Sequence, residues 1–194
     1  MKRIAIFASG SGTNAENIIR YFKANGKAIT EVVLCNNPKA LVIERAKVLH
    51  TPSMVFTKED FYNSKKIETL LERLKIDLIV LAGFLWLVPE SLIKKFPRKI
   101  INIHPALLPD HGGKGFYGSK VHEAVLQSGD KKSGITIHYV DDKFDEGEII
   151  FQATCDIEPG DTPSSLAAKI HKLEYEHYPV VIDELLEKMN QSSS

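Results

Sequence analysis

The sequence has few cysteines, no long uninterrupted apolar run and no excess of charge of either sign. Cys35 and Cys155 are its two cysteines, and because they form no CxxC motif they indicate neither a disulfide framework nor a thiolate zinc site. The longest apolar run, residues 78–88, is interrupted by Gly83 and falls short of the ~20 residues that a membrane-spanning helix needs. The apolar run at residues 4–8 is too short for the core of a signal peptide, so we expect a cytoplasmic protein without a membrane partner.

The balance of charge and the length of the chain limit the expected partners and the number of domains. The 25 Lys and Arg residues balance 25 Asp and Glu residues, and the basic residues are scattered among acids rather than clustered. A nucleic-acid partner is therefore not expected, since such partners usually require a basic patch. With 43% hydrophobic residues in 194 positions, the chain is long enough for one globular domain, which we place at residues 1–194.

Strand-like and helix-like patterns alternate through the first two thirds of the chain. Short apolar runs at residues 4–8, 32–35, 54–56, 78–82 and 100–103 are each followed by a segment with helical spacing, such as Ala15, Ile18, Ile19 and Phe22. Two later runs, at residues 135–140 and 148–153, follow each other with an acidic turn between them. This order predicts an α/β, Rossmann-like fold: a mainly parallel twisted sheet with helices on both faces and an antiparallel C-terminal hairpin.

Prolines mark the expected helix ends. Pro89 suits the first turn of a short helix, and Thr162 followed by Pro163 suits the start of a C-terminal helix. Because proline disrupts a helix interior, Pro179 should kink or restart that helix. We expect it to fray at Gln191 and the terminal serines.

A Gly-rich loop lies between the first strand and the first helix, at residues 9–14. Unpaired backbone N–H groups and the positive end of a helix dipole favour an anion there, so Gly12, Thr13 and Asn14 are predicted to bind a phosphate monoester. We also expect any side chain at position 12 to occupy space that this phosphate needs.

The same loop leaves two alternatives open. Gly10, Gly12 and Ala15 match the permissive dinucleotide pattern, which makes an NAD-dependent oxidoreductase the rival enzyme, although Asn36 and Asn37 stand where that class needs an acid. The other alternative is a plain strand-to-helix turn capped by Asn14.

A second group of polar residues follows the strand at residues 100–103. Asn102 and His104 are two residues apart, so their side chains lie on the same side of the strand. Both are near its carboxyl end, where ligands bind in such sheets. The acidic turn that contains Asp145 ends a hairpin that can fold back towards them. A first alternative is that His104 is a hydrogen-bonded core residue without a catalytic role. A second is that a metal is bound by four histidines, His104, His111, His122 and His138, although the sequence shows no metal-binding spacing.

An amide, a histidine and a carboxylate in one cleft suit acyl transfer from a carbonyl donor to an amine. Asn102 would stabilise the oxyanion, His104 would donate a hydrogen bond or proton, and Asp145 would keep His104 charged and oriented. A nearby carboxylate favours the imidazolium, so we expect Asp145 to raise the pKa of His104 above that of an isolated imidazole.

These motifs together resemble the phosphoribosylglycinamide formyltransferase family of purine biosynthesis over nearly the whole chain. "SGSGTN" at 9–14 is similar to its phosphate loop, "INIHPALLP" at 101–109 to its catalytic strand end, and "FDEGEIIFQ" at 144–152 to its acidic loop. The resemblance implies transfer of a formyl group from 10-formyltetrahydrofolate, without a metal, to a small phosphorylated amine. It implies Asn102, His104 and Asp145 as the catalytic residues and a monomer or weak homodimer.

Two further sites are implied by the same resemblance. "LAGFLWLV" at 81–88 is similar to the segment that contacts the folate pterin, so the expected folate-binding residues are Leu85, Trp86, Leu87, Val88 and Asn102. Glu174, in "LEYEHYP", matches an acid near the glycinamide end of the acceptor. Trp86 stands where several members of that family have a basic residue, and the loop at 111–118 is longer than in the most familiar members. A formyltetrahydrofolate hydrolase and a formyltransferase for another amine are the related alternatives.

Overall fold

The computed structural model describes residues 1–113 and 115–191, which form a seven-stranded sheet covered by helices on both faces. In chain order the strands are β1 Lys2–Ala8, β2 Ala28–Cys35, β3 Ser53–Val55, β4 Leu78–Leu81, β5 Ile100–His104, β6 Lys132–Tyr139 and β7 Ile149–Asp156. Their order across the sheet is β3-β2-β1-β4-β5-β6-β7. Pairs from β3 to β5 are parallel, while β6 is antiparallel to both β5 and β7, which confirms the predicted fold class.

The helices are α1 Thr13–Asn25, α2 Leu41–Val48, α3 Lys66–Arg73, α4 Glu90–Lys95, α5 Ser119–Ser128 and α6 Pro163–Gln191, with a short π-helical turn at Glu59–Asn63. In β1, Ile4 and Ile6 face a core shared with α1, α2, α5 and α6, whereas Ala5 and Phe7 face a core shared with α3 and α4. Residues that alternate along an extended chain point to opposite faces, so β1 is buried on both sides.

The C-terminal helix continues through Pro179, so the predicted restart does not occur. Helix α6 runs from Pro163 to Gln191 without restarting at Pro179. Proline has no N–H for the carbonyl of the residue four positions earlier, which is Tyr175. The side-chain amide of Asn17 donates to that carbonyl at 2.9 Å, so α1 supplies the missing partner and the helix continues. The terminal serines, where fraying was predicted, lie outside the described residues.

Candidate active site

A cavity of about 930 Å³ lies at the carboxyl ends of β1, β4 and β5. The order of the strands reverses between β1 and β4: from β1 the chain adds β2 on one side, and β4 then lies on the other side of β1. Such a switch point leaves a crevice between the loops that leave neighbouring strands. The cavity is lined by the Gly-rich loop at one end and by Asn102, His104 and Asp145 at the other.

The Gly-rich loop turns its carbonyls away from the cavity. The Gly10 carbonyl accepts from the Val42 N–H at 3.2 Å, and the Ser11 carbonyl accepts from the Arg45 guanidinium at 2.9 Å. The Gly12 carbonyl accepts from the Glu16 N–H at 2.9 Å in the first turn of α1. Within residues 1–113 and 115–191, no partner is found for the N–H groups of residues 12–14. The loop therefore presents free donors at the helix N-terminus, the arrangement that favours an anion.

The expected reason for glycine at position 12 was wrong. Gly12 has φ 75°, in the left-handed region, and an added Cβ would lie 2.4 Å from Cβ of Val42. The space beside Gly12 is thus occupied by Val42 of α2 and is not open to a ligand. Glycine is required there because α2 packs directly against the loop and because the backbone conformation disfavours other residues.

The three residues expected to act together are neighbours. Asn102 Nδ2 lies 3.4 Å from Asp145 Oδ1, and His104 Nδ1 lies 3.4 Å from Asp145 Oδ2. Asp145 is held with φ 59° and accepts a hydrogen bond from the Gly113 N–H at 3.0 Å. The acidic turn between β6 and β7 therefore folds back onto the end of β5, as the sequence predicted.

His138 belongs to this cluster and was assigned no catalytic role from the sequence. Its Nε2 lies 3.2 Å from Asn102 Nδ2 and 3.5 Å from Asp145 Oδ1, and its side chain is buried. The antiparallel register pairs His138 directly with Asn102 across β5 and β6. A polar residue within the apolar run of a strand was the available signal, but only the register places it beside Asn102.

Burial changes the expected charge of His104. Asp145 and the carbonyl of His111 both favour the imidazolium, but desolvation outweighs them and lowers the pKa of His104 below its usual value. The expectation that Asp145 would raise this pKa above that of an isolated imidazole was therefore wrong in sign. The Nε2–H of His104 donates to the His111 carbonyl at 2.8 Å, which a neutral imidazole with its proton on Nε2 satisfies.

The carboxylate keeps its charge despite its burial. The neighbouring histidines and the Gly113 N–H outweigh the desolvation of Asp145 and lower its pKa below the usual value. Asp145 therefore remains an anion at neutral pH, next to two imidazoles and one amide.

Residues 85–88, which the resemblance assigns to the folate, form one wall of the cavity. Two of their backbone groups already have partners: the Leu85 N–H donates to Ser9 Oγ at 3.0 Å, and the Leu87 carbonyl accepts from the Tyr62 hydroxyl at 2.9 Å. Trp86 joins a cluster of rings in which its centroid lies 5.8 Å from Phe56 and 6.0 Å from Tyr62. Val88 is buried, so this wall is a mainly apolar surface built on the end of β4.

Glu174 lies at the loop end of the cavity. Its Oε2 accepts a hydrogen bond from Asn14 Nδ2 at 3.0 Å and lies 2.8 Å from Nδ1 of His171, one turn earlier on α6. Glu174 is buried, and its hydrogen bond raises the pKa of His171. The sequence predicted Glu174 but not His171, although a spacing of three residues on a helix puts both on one face.

The histidines do not converge as a metal site. Across residues 1–113 and 115–191 the structure contains no group of three or more His, Cys, Asp or Glu side chains suited to hold a metal ion. His111 instead contacts Asp130, with its Nε2 2.7 Å from the carboxylate. None of the helices in the described part of the chain combines the length and apolarity needed to cross a bilayer.

Comparisons with known proteins agree with this geometry. A family model described as formyl transferase matches residues 2–182. The phosphoribosylglycinamide formyltransferase of Bacillus subtilis is 40% identical over 191 residues, which cover 96% of this chain and 95% of that protein.

Solved structures show the same relationship. The crystal structure of phosphoribosylglycinamide formyltransferase from Bacillus halodurans superimposes with a TM-score of 0.85 at 38% identity, covering 97% of both chains. The structure of glycinamide ribonucleotide transformylase 1 from Geobacillus kaustophilus gives a TM-score of 0.86 at 39% identity, over 96% of this chain and 99% of that one.

Proposed function

The chain belongs to the formyl transferase family, and we therefore infer that it moves a formyl group from 10-formyltetrahydrofolate to the glycine amine of 5'-phosphoribosylglycinamide, in purine biosynthesis. The carbon–nitrogen bond to N10 of the folate breaks, a new amide bond forms, and the proton lost by the amine balances the one gained by N10. The observation that carries this function is that one cavity joins the phosphate loop to the cluster around Asn102. The family match decides against an NAD-dependent oxidoreductase.

The phosphate of the acceptor is proposed to bind the free N–H groups of Gly12, Thr13 and Asn14. The support is geometric, because the carbonyls of this loop already have partners on α1 and α2 and only donors remain. Because Glu174 accepts a hydrogen bond from Asn14 of the phosphate loop, it is proposed to contact the acceptor beside its phosphate rather than at the glycinamide end that the resemblance implies. An acceptor anchored there can extend along the cavity to place its amine near His104.

The reacting carbonyl is proposed to lie against Asn102 and His104. The Asn102 amide donates to the oxyanion that forms when the amine attacks, and it exchanges its contacts with Asp145 and His138 for this one. His104 donates from Nε2, which requires that the substrate displace the His111 carbonyl. In the neutral ring Nδ1 carries no proton, so Asp145 acts by favouring the charged form of His104, whose Nδ1–H it can accept, as negative charge develops.

The folate is proposed to lie along the wall formed by Leu85, Trp86, Leu87 and Val88, with Asn102 at its reacting end. Because the Leu85 N–H and the Leu87 carbonyl are engaged within the protein, the other backbone groups of this segment are proposed to contact the polar ring edge. The Trp86 ring and the aliphatic side chains beside it form an apolar surface that suits a planar heterocycle.

We propose that residues 1–194 work as one domain in the cytoplasm, as a monomer or weak homodimer. One sheet carries both ends of the cavity, so no second copy is needed to complete the site. Sedimentation at several concentrations measures the oligomeric state.

The function is tested by following the folate absorbance with the phosphorylated acceptor, its dephosphorylated form and, as a control, NAD(H). We expect turnover with the phosphorylated acceptor alone. Asn102→Ala should lower turnover by roughly 10²–10³-fold while acceptor affinity changes little, because the lost donor acts on charge that forms only during the reaction. Folate turnover without any acceptor would identify a hydrolase instead, and weaker acceptor binding at unchanged turnover would make Asn102 a substrate anchor.

A further inference from the structure

His122 lies in the first turn of α5, lines the cavity and has no role in the site described above. Its side chain is only 4% exposed, yet neither ring nitrogen bonds to any residue that the structure describes. Nδ1 is sealed from solvent without a partner, so Nε2 is the nitrogen left to reach a ligand in the cavity. A buried polar group without a partner is costly and calls for an explanation.

The position of His122 relates it to both ends of the site. Its electrostatic neighbours are His104 on β5, at the reacting end, and His171 and Glu174 on α6, at the loop end. His122 is therefore near both groups of residues that are proposed to hold the amine and the phosphate of the acceptor. The part of the acceptor that spans this interval contains a ribose and an amide.

The charge and tautomer of His122 follow from its surroundings. Burial lowers the pKa of His122, and the nearby His171 lowers it further against the opposing effect of Glu174. The ring is therefore neutral at neutral pH and carries one proton. Because a proton on Nδ1 would be sealed in without an acceptor, the proton belongs on Nε2, where it faces the cavity.

We propose that His122 determines acceptor specificity by donating its Nε2–H to an uncharged oxygen between the phosphate and the amine, either the amide carbonyl or a ribose hydroxyl. This inference rests on the proposed function. It explains why a histidine with two unpartnered nitrogens lies buried in the cavity wall: the ligand supplies the partner that the protein does not. It also complements Glu174, which can only accept hydrogen bonds when it is ionised.

Two polar variants test the donor without changing the character of the side chain. In His122→Gln the side-chain amide reaches the position of Nε2, whereas in His122→Asn it reaches only the position of Nδ1. We expect His122→Asn to weaken acceptor binding by roughly 10–100-fold, the effect of removing a hydrogen-bond donor from a buried ligand oxygen. His122→Gln should bind the acceptor within about threefold of the parent protein. Folate affinity should change in neither variant.

Calorimetry with phosphoribosylglycinamide, and with ribose 5-phosphate as a fragment that lacks the amide, distinguishes the two oxygens. If the partner is a ribose hydroxyl, the Asn variant loses affinity for both ligands; if it is the amide carbonyl, only the complete acceptor is affected. Equal acceptor affinity in the two variants, or a loss shared by the folate, would overturn the proposal and leave His122 as a packing residue. Absence of formyl transfer by the parent protein would instead defeat the proposed function.

Discussion

Thr136 holds the segment that follows β5 in place, and its replacement by valine should destabilise the protein. Its hydroxyl accepts from the Leu108 N–H at 2.9 Å and donates to the Ala106 carbonyl at 2.8 Å. Gln152 also donates to this hydroxyl, at 2.9 Å. Valine has nearly the same shape but no hydroxyl, so all three contacts are lost while the packing volume is kept.

The size of the effect follows from the groups left behind. Ala106 and Leu108 are buried, so their backbone carbonyl and N–H lose their partners without gaining water. Each such group costs roughly 1–3 kcal/mol, and the added methyl returns about 1 kcal/mol of hydrophobic burial. The free energy of unfolding should therefore fall by roughly 1–5 kcal/mol. Because Ala106 follows His104 by two residues, turnover should also fall, by up to about 10²-fold if His104 moves by about 1 Å.

Thr30→Val is the matched control. Thr30 lies in β2 and is also buried, but its hydroxyl has no partner among the described residues. Removing an unpaired buried hydroxyl and adding a methyl should stabilise the protein by roughly 1 kcal/mol and leave turnover unchanged.

Urea denaturation compares the two variants. With a slope of roughly 2–3 kcal/mol per molar, the unfolding midpoint of Thr136→Val should fall by about 0.3–2.5 M, while that of Thr30→Val should rise slightly. Shifts of both variants in the same direction by similar amounts would refute this role of Thr136, because its hydrogen bonds would then contribute nothing that the lone hydroxyl of Thr30 lacks.

Two further predictions concern charge and backbone. Asp145→Asn removes the carboxylate that favours the imidazolium, so the pKa of His104 should fall further and the limb of the pH–turnover profile that belongs to His104 should move to lower pH. Movement of the alkaline limb identifies a charged donor and movement of the acid limb a neutral base, whereas two unmoved limbs would exclude Asp145 from catalysis. Gly12→Ala should lower the free energy of unfolding by roughly 2–4 kcal/mol, because it combines a left-handed backbone with overpacking. Gly10→Ala, whose Cβ meets no atom within 4 Å, should change stability by less than about 0.5 kcal/mol, and equal losses in denaturation would contradict this account.

The strand and helix pattern was predictable because it reflects local geometry. The apolar residues of α1 recur at helical spacing, and all four that the spacing singled out, Ala15, Ile18, Ile19 and Phe22, are buried. Strand bounds differ by a few residues, as for β6, which begins at Lys132 rather than Ile135. Pairing with β7 extends that strand, and periodicity within one segment carries no information about its partner.

The site was predictable in part for a related reason. In a parallel sheet the carboxyl ends of neighbouring strands meet at one edge, so Asn102, His104 and the Gly-rich loop were expected to share a cavity, and they do. The sequence motifs also indicated the family. These inferences need only the order of elements along the chain.

Tertiary structure decided what depends on contacts between distant segments. The register of β5 against β6 puts His138 beside Asn102, and the packing of α5 against α6 puts His122 in the cavity wall. The depth of burial reversed the expected shift of the His104 pKa, because desolvation depends on every neighbour while the effect of Asp145 depends on one. The sequence by itself determined which chemical groups are available at the end of each strand; packing determined which of them touch and which are removed from water.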